Sequence, residues 1–573
     1  MKSLFPIFLI LLSVYIYSCA NQGTPTGGPR DTIPPLLIES TPANKSINFK
    51  GQEFKYVFNE RVNADKLKSQ LLITPHIENK FNLKVKKNEL TITFDEKFMD
   101  STTYTLNFSD GVVDVTEKNP AINLSFAFST GHYIDSIYVN GKITNLYNNE
   151  NQKDFVVGLY QITDSIDLLK DKPRYFTKTN EQGQFLIENI KNGFYKILTF
   201  KDENKNLIFN PDKEAHGFLA DSLDLTTSQD SVRIHTQLIN ASEFKFVRAK
   251  LTGRYFDTQY NKSIINYQIS KLDSLNELPI PPNNKIKGNQ IIRFYPRETF
   301  EYDVDSLGIL LSTTDSMFNQ RIDTTYIKFT ETSRKPEKFS ASFKPTNGAY
   351  IDPLIQYNYT FDKPIETFYK DSILIHYDTL QTQVIADSTI LWNQNRTELR
   401  FETLIDKDYL TTEIDTLLKI YGDTTLTDSI SQAKYAYFTQ VNPQAISLTF
   451  PKGTFISIEG DSTEAVKHKY QFKTLDQLGS VSGFINTDYK SFTLQLVNSK
   501  YDIISEVKDS KTFEFPYVKP GKYTFRVMID NNEDGQWSYG NILKNETPED
   551  VYFYTEIFDV RANWELENIE ISF

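Results

Sequence analysis

Sulfur and imidazole are scarce in this sequence: one Cys, four Met and six His in 573 residues. A single Cys excludes an intramolecular disulfide and any zinc site built on cysteine pairs. The histidines, His76, His132, His216, His235, His376 and His468, lie far apart, and no two have the spacing that places metal ligands on one helix face. A Walker loop, a G-x-S-x-G elbow and an H-E-x-x-H helix are all missing, so no local signature of nucleotide, serine-hydrolase or zinc-protease chemistry is present. Positive charge is also in deficit, with 62 Lys+Arg against 74 Asp+Glu and a net charge of −12. That balance argues against nucleic acid as the main partner, because phosphate binding needs a dense basic face. Beyond the N-terminal stretch no run of 18 apolar residues occurs, so no membrane-spanning helix is expected there.

What the chain has instead is aromatic rings. Hydrophobic residues make up only 39%, yet 14% are aromatic, with 42 Phe and 33 Tyr against 3 Trp. Large rings let small cores form even in a polar chain, which excludes disorder of the whole. At roughly 150 residues per domain, and fewer for β-sandwiches, the length predicts four or five domains. Segments such as Phe54-Lys-Tyr-Val-Phe58, Leu90-Thr-Ile-Thr-Phe94, Tyr104-Thr-Leu-Asn-Phe108 and Tyr523-Thr-Phe-Arg-Val527 alternate with period two and end at Asn, Asp, Gly or Pro. Helical periods are scarce; Ala64–Leu72 suits one short helix. The expected class is all-β, as tandem sandwiches with one face of each sheet buried, in an elongated chain.

The N-terminus has the pattern of a secretion signal over residues 1–18. Lys2 precedes an apolar stretch from Leu4 to Tyr17, shorter than the roughly 20 residues a membrane-spanning helix needs. Ile16-Tyr17-Ser18-Cys19 then resembles a bacterial lipobox, with Tyr17 looser than the strictest pattern. The resemblance implies cleavage before Cys19, diacylglycerol on its thiol and acylation of its new amino group. Several acyl chains, at about 0.8 kcal/mol per buried methylene, hold a protein durably on a membrane. Residues 19–34 form a Pro/Gly-rich tether, able to reach at most roughly 50 Å. The first acidic residue after Cys19 is Asp31, so the acidic surface-export signal of Bacteroidota lipoproteins is not evident and the membrane face stays open.

Two internal repeats organise the mature chain. At an offset of 303, Pro42, Asn44, Phe54, Tyr56, Phe58 and Val62 match Pro345, Asn347, Tyr357, Tyr359, Phe361 and Ile365. Farther on, Glu89-Leu90 matches Glu398-Leu399, and Ala121–Phe126 matches Ala445–Phe450. This pattern resembles the bacterial Ig-like domain of surface and S-layer proteins; the resemblance implies a P-x-N turn before the second strand and an F-x-Y-x-F triplet facing the core. At an offset of 328, Phe185, Ile187, Ile190, Gly193, Tyr195, Asp202, Asn204 and Asn206 match Phe513, Phe515, Val518, Gly521, Tyr523, Asp530, Asn532 and Asp534. The G-x-F-x-F-x-x-(I/V)-x-x-G-x-Y signature resembles the prealbumin-like sandwich of carboxypeptidase regulatory domains. Gly193 and Gly521 suit a turn that needs positive φ.

The domain order expected is Ig-like (35–131), prealbumin-like (132–243), an unassigned β domain (244–338), Ig-like again (339–476) and prealbumin-like again (477–573). Pro279-Ile-Pro-Pro282-Asn-Asn reads as a long turn inside the unassigned part. As a whole, the chain resembles outer-membrane lipoproteins of Bacteroidota with an N-terminal Ig-like domain.

Asp530-Asn-Asn532-Glu-Asp534-Gly535 is the sharpest chemical motif. Oxygen donors at positions 1, 3 and 5 with Gly at 6 match the first half of an EF-hand-type calcium loop. Position 12 is Asn541 where a bidentate Glu is wanted, and Glu546 or Glu549 are candidate substitutes. A weaker second loop, Asp202, Asn204 and Asn206, has Leu207 in place of Gly, followed by Asn210 and Asp212. The competing reading of both is an Asx-rich turn that satisfies its own amides. Trp537, Trp564 and Tyr552-Phe-Tyr554 are candidate aromatic contacts for glycans or proteins, set against a plain packing role. Lys84, Lys86 and Lys87 suit a solvated strand edge that resists aggregation.

These readings converge on a non-catalytic binding or scaffold protein of the cell envelope. Its anchor would be covalent lipid on Cys19, and no cofactor is required beyond calcium as a candidate structural ion. An accessory role in an outer-membrane protein assembly or transport complex fits, with an envelope protein as partner. The alternatives are a surface adhesin or glycan-binding array, and a hydrolase with an unrecognised site in 244–338.

Overall fold

A computed structural model describes residues 31–78, 80–122, 124–163, 165–272, 274–277, 283–286, 288–296, 306–330, 332–351, 354–376, 382–384, 390–404, 416–420, 431–432, 434–435, 445–472 and 477–573. Cys19, most of the tether and the Pro279–Pro282 turn lie outside them. The chain is nearly all β, and the expected helix at Ala64–Leu72 is one turn, Leu67–Gln70, between the short strands Val62–Asn63 and Leu72–Thr74. Two compact units emerge. Among the described residues, one comprises those up to Thr144 with Asn151–Phe209 and Asp221–Ile234; the other comprises Asn145–Glu150, Asn210–Ala220 and His235–Phe573.

In the first unit, Leu37–Thr41, Glu53–Phe58, Glu89–Phe94 and Phe81–Lys86 form one antiparallel sheet in that spatial order. Leu72–Thr74, Thr103–Asn107 and Ser125–Ser129 form another. Alternation puts Phe54, Tyr56 and Phe58 wholly inside, against Phe94, Phe108, Phe126 and Phe128. Lys84, Lys86 and Lys87 are exposed at the edge strand Phe81–Lys86 and its turn. The P-x-N motif has a defined job: Asn44 Oδ1 accepts the Ala127 N–H at 2.9 Å, pinning the turn to the opposite sheet.

The second unit repeats this arrangement. Ala341–Lys344, Leu354–Phe361, Glu398–Leu404 and Ile390–Trp392 form one sheet, while Leu374–His376, Ala445–Phe450 and Val466–Phe472 run side by side in the other. Tyr56 faces Leu90 as Tyr359 faces Leu399, so the 303-residue offset holds in register. Asn347 Oδ1 accepts the Lys469 N–H at 2.8 Å, making Lys469 the counterpart of Ala127. The match of Ala121–Phe126 with Ala445–Phe450 is therefore corrected. Ala445–Phe450 takes the place of Thr103–Asn107, and Val466–Phe472 takes that of Ser125–Ser129. Alternating strands look alike in sequence, and their hydrogen-bond partners decide which is which.

That assignment sets His468 in the position of Phe126. Both lie against the equivalent tyrosine: Phe126 edge-on to Tyr56 at 5.3 Å, His468 Nε2 3.3 Å from the Tyr359 hydroxyl. His468 is 2% exposed, its Nδ1 has no partner, and Phe343 and Phe450 flank it. Burial pushes its pKa down to about 4.

The other repeat also yields paired sandwiches. Thr512–Val518, Gly479–Asn486 and Glu565–Ser572 form one sheet, and Ile503–Lys508, Phe492–Asn498, Gly521–Ile529 and Val551–Phe553 the other. In the other copy of the repeat the counterparts of the first sheet are Gln184–Ile190, Ile137–Asn145 and Gln229–Thr236. Those of the second include Tyr175–Lys178, Val156–Gln161 and Gly193–Phe200. Both copies need a glycine in the central strand of the first sheet. A Cβ on Gly141 would strike the Val232 carbonyl oxygen, and one on Gly483 the Ile569 carbonyl oxygen. The G-x-Y motif is a tyrosine corner: Tyr195 donates to Lys191 O at 2.8 Å and Tyr523 to Lys519 O at 2.9 Å. Gly193 has φ 153°, but Gly521 does not need positive φ; there, the Tyr523 ring lies 3.4 Å from where a side chain would begin.

Residues 244–338 are a further sandwich. Phe246–Thr252, Tyr255–Tyr260, Ile291–Phe294 and Asn283–Ile286 form one sheet; Ser274–Glu277, Ile264–Lys271, Leu307–Asp315 and Gln320–Ile327 form the other. Asn283 and Asn284 belong to a strand, not to the turn expected of them. Tyr260, Ile264, Ile292, Phe294, Ile309 and Leu311 fill the core between the sheets.

Tyr523→Phe removes one hydrogen bond and is expected to cost about 1 kcal/mol. Gly483→Val forces the two paired strands apart and is expected to cost well over about 2 kcal/mol, lowering the melting temperature much further. Thermal unfolding of the two variants tests that order. For His468 the folded pKa lies below the unfolded value near 6.5, so the unfolded state binds the extra proton between those values. Stability is then expected to fall as pH drops from about 6.5 towards 4. His468→Phe, which installs the residue of the first copy, should flatten that slope in melting curves taken across the window.

Candidate functional site

The Asp/Asn motif opens a long excursion, residues 530–550, between strands Gly521–Ile529 and Val551–Phe553. Asp530 is 4% exposed; its Oδ2 accepts the Gly535 N–H at 2.8 Å and the Ser491 hydroxyl at 2.8 Å. Asn532 Oδ1 takes the Asp534 N–H and Asp534 Oδ1 takes the Gln536 N–H. Gly535 has φ 89°, the left-handed geometry for which glycine is suited. Asn541 does not close this loop; it sits in the hairpin at the far end, paired through its backbone with Glu546. Glu549 is the acid that folds back. Its Oε1 accepts the Asn532 N–H at 3.1 Å and its Oε2 the Ser538 N–H at 2.7 Å, in a position 9% exposed.

The weaker loop has the same local geometry. Asp202 Oδ2 accepts the Leu207 N–H at 3.0 Å, Asn204 Oδ1 the Asn206 N–H, and Asn206 Oδ1 the Ile208 N–H. Leu207 takes φ 60° where its counterpart is Gly535, a conformation costing a non-glycine residue about 1 kcal/mol. Eight residues after the leading Asp, Asn210 N–H bonds Glu214 Oε2 as Ser538 N–H bonds Glu549 Oε2. Neither glutamate could be placed by spacing, because the two stand at different distances along the chain. The loops differ at the first carboxylate: Asp202 Oδ1 accepts the Asn206 N–H, whereas Asp530 Oδ1 is shut from solvent without a donor. Among the described residues no group of three or more His, Cys, Asp or Glu is placed to hold a metal ion.

Beyond its base the excursion works as a strap. Tyr539 O accepts Gln237 Nε2, Asn541 Nδ2 donates to Asn319 Oδ1 at 2.9 Å, and Asn545 Nδ2 donates to Ala220 O at 2.7 Å. Trp537 is half-buried against Tyr147 and Tyr539, with its indole N–H on Asp550 O. Under the strap, Arg526 Nη1 donates to Tyr147 O at 2.6 Å, while Nε and Nη2 share Gln495 Oε1. Tyr147 in turn donates to Gln237. Tyr552 and Tyr554 pack on the C-terminal core. Trp564 remains 48% exposed, with Arg561 over one face at 4.6 Å.

Acidic side chains of 244–338 take part in ion pairs. Asp315 meets Lys262 at 3.1 Å with both groups buried. Arg293 grips Asp257 through two bonds, contacts Glu337, and stacks over the Tyr255 ring at 4.4 Å. The Tyr255 hydroxyl donates to Glu459 Oε2 at 3.0 Å. Glu459 also meets Lys363 at 2.7 Å and Arg254 at 3.1 Å, and Lys363 reaches Asp461 at 2.6 Å. The middle sandwich is thereby joined to residues 363 and 459–461 of the sandwich that follows it, through the buried Glu459 side chain.

A model of the bacterial Ig-like domain matches residues 31–130. Residues 31–130 are a bacterial Ig-like domain. No curated protein matches the chain. Among solved structures, an L,D-transpeptidase from Mycobacterium smegmatis is 13% identical, covering 29% of this chain and 76% of its own, with a TM-score of 0.13. The S-layer protein SbsC is 11% identical over 91% of this chain and 67% of its own, at a TM-score of 0.15. BcpA, the major pilin subunit of Bacillus cereus, is 10% identical over 76% and 99%, at 0.12.

Glu459→Ala leaves Lys363 buried with one acid fewer and removes the Tyr255 acceptor. Breaking a buried pair this way is expected to cost about 3–5 kcal/mol. Chemical denaturation of the full chain, compared with the exposed-pair variant Glu464→Ala at Lys452, checks it; the latter should change stability by less than about 1 kcal/mol.

Proposed function

We propose that this chain is a lipid-anchored protein of the cell envelope that acts as a non-catalytic binding or scaffold component. The observation that carries the proposal is how the buried polar groups are used: the Glu459–Lys363 network, Arg526 and the 530–550 strap all tie one stretch of sandwich to another. Buried polar groups placed at the joints between modules are suited to presenting surfaces at fixed positions. The bacterial Ig-like domain adds a module of that kind directly after the tether. Cys19, next to the apolar segment Leu4–Tyr17, supplies the lipid attachment in this reading. The outer membrane is its proposed location, and a membrane-protein assembly or transport complex is the partner class that a tethered, modular scaffold fits.

Cys19→Ala is expected to move the mature protein from the membrane to the soluble fraction on sedimentation of lysed cells. Photo-crosslinking in living cells is expected to join the wild-type chain to an envelope protein. A Cys19→Ala product that still sediments with membranes overturns the anchor, and crosslinked material holding this chain alone overturns the scaffold role.

A further inference from the structure

We propose that the base of the 530–550 strap binds a calcium ion through Asp530, Asn532 and Asp534, and that the bound ion locks the strap over Tyr147, Ala220, Gln237 and Asn319. The starting point is Asp530 Oδ1. Its residue is 96% buried by the 4% exposure, and this oxygen has no hydrogen-bond donor. An unsatisfied buried acceptor is costly, more so on a charged group, and a native structure normally supplies it with a water or an ion. Its companion Oδ2 holds the Gly535 N–H and the Ser491 hydroxyl, so the carboxylate closes the turn that carries Asn532 and Asp534.

The chemistry around this oxygen favours a hard cation. The side chains of the turn offer carboxylate and carboxamide oxygen, with no imidazole or thiolate among them. Asn532 and Asp534 are exposed, so they can reorient at little cost, which suits the adaptable coordination of calcium better than the strict octahedron of magnesium. Main-chain carbonyls and water would complete the shell. Glu549 sits behind the site, holding the Asn532 and Ser538 amides and joining the two ends of the strap.

The first copy is a control built into the chain. Asp202 has both oxygens taken, by the Asn206 and Leu207 amides, and Asn206 stands where Asp534 carries a charge. The same turn with a satisfied carboxylate and one fewer acid has no need of an ion. Only the C-terminal turn is assigned one.

The test uses the full chain in detergent, stripped with chelator and then given calcium or magnesium chloride. Calcium is expected to raise the melting temperature by a few degrees and to slow protease cleavage within 530–550 at least several-fold, with magnesium much weaker. Asp534→Asn keeps the oxygen that accepts the Gln536 N–H and lies on the surface, so its chelator-treated melting curve should match the wild type. Its calcium response should be lost. Asn206→Ala should leave the response intact. No calcium response in the wild type overturns the site, as does a response that survives in Asp534→Asn.

Discussion

With no disulfide available, each sandwich has to close on buried aromatic area and on a few side chains that reach across to main chain. Rings at alternate positions supply the first requirement, since each buries about 150–250 Å². Asn44, Asn347, Tyr195 and Tyr523 supply the second: the asparagines reach from a turn to a strand of the opposite sheet, and the tyrosines bond back to the turn four residues upstream. Such bonds contribute little singly, but they fix where a strand begins, and a period-two strand displaced by one residue would turn its whole aromatic face to water.

Between modules the currency changes from rings to charge. The Glu459 side chain and Arg526 are buried and bonded to several partners drawn from distant parts of the chain. Desolvated ion pairs gain little over an apolar contact, yet they tolerate misalignment poorly, which favours one docking geometry. A joint of this kind serves position more than strength, and position is what a scaffold has to offer.

Much of this was legible in the sequence wherever the determining interactions are local. The F-x-Y-x-F triplets and the match of Glu89-Leu90 with Glu398-Leu399 depend on residues within one or two strands, so spacing carried them; the G-x-Y repeat was visible too, but the hydrogen bond its tyrosine makes was not. The strand assignment of Ala445–Phe450 failed because alternation is shared by every sheet edge. Glu549 was one of two candidate acids for the Asp/Asn turn, and spacing could not choose it over Glu546 because a hairpin of variable length separates both from the turn. Nothing in composition could bring together Arg254, Lys363 and Glu459, whose encounter is a product of the folded joint. Leu207 shows the opposite lesson: the backbone of the repeat persists even where the glycine that suits it has been replaced.

The bond from Arg526 to Tyr147 O spans 379 residues. Loop closure over such a span is entropically slow to reward, and the contact can form only after strand Gly521–Ile529 has emerged. A polypeptide made or exported from its N-terminus therefore leaves the Asn145–Glu150 segment without this partner until residue 526 has arrived. During that interval Tyr147 O lacks the Arg526 donor, so this joint contributes nothing to holding the earlier strands in place.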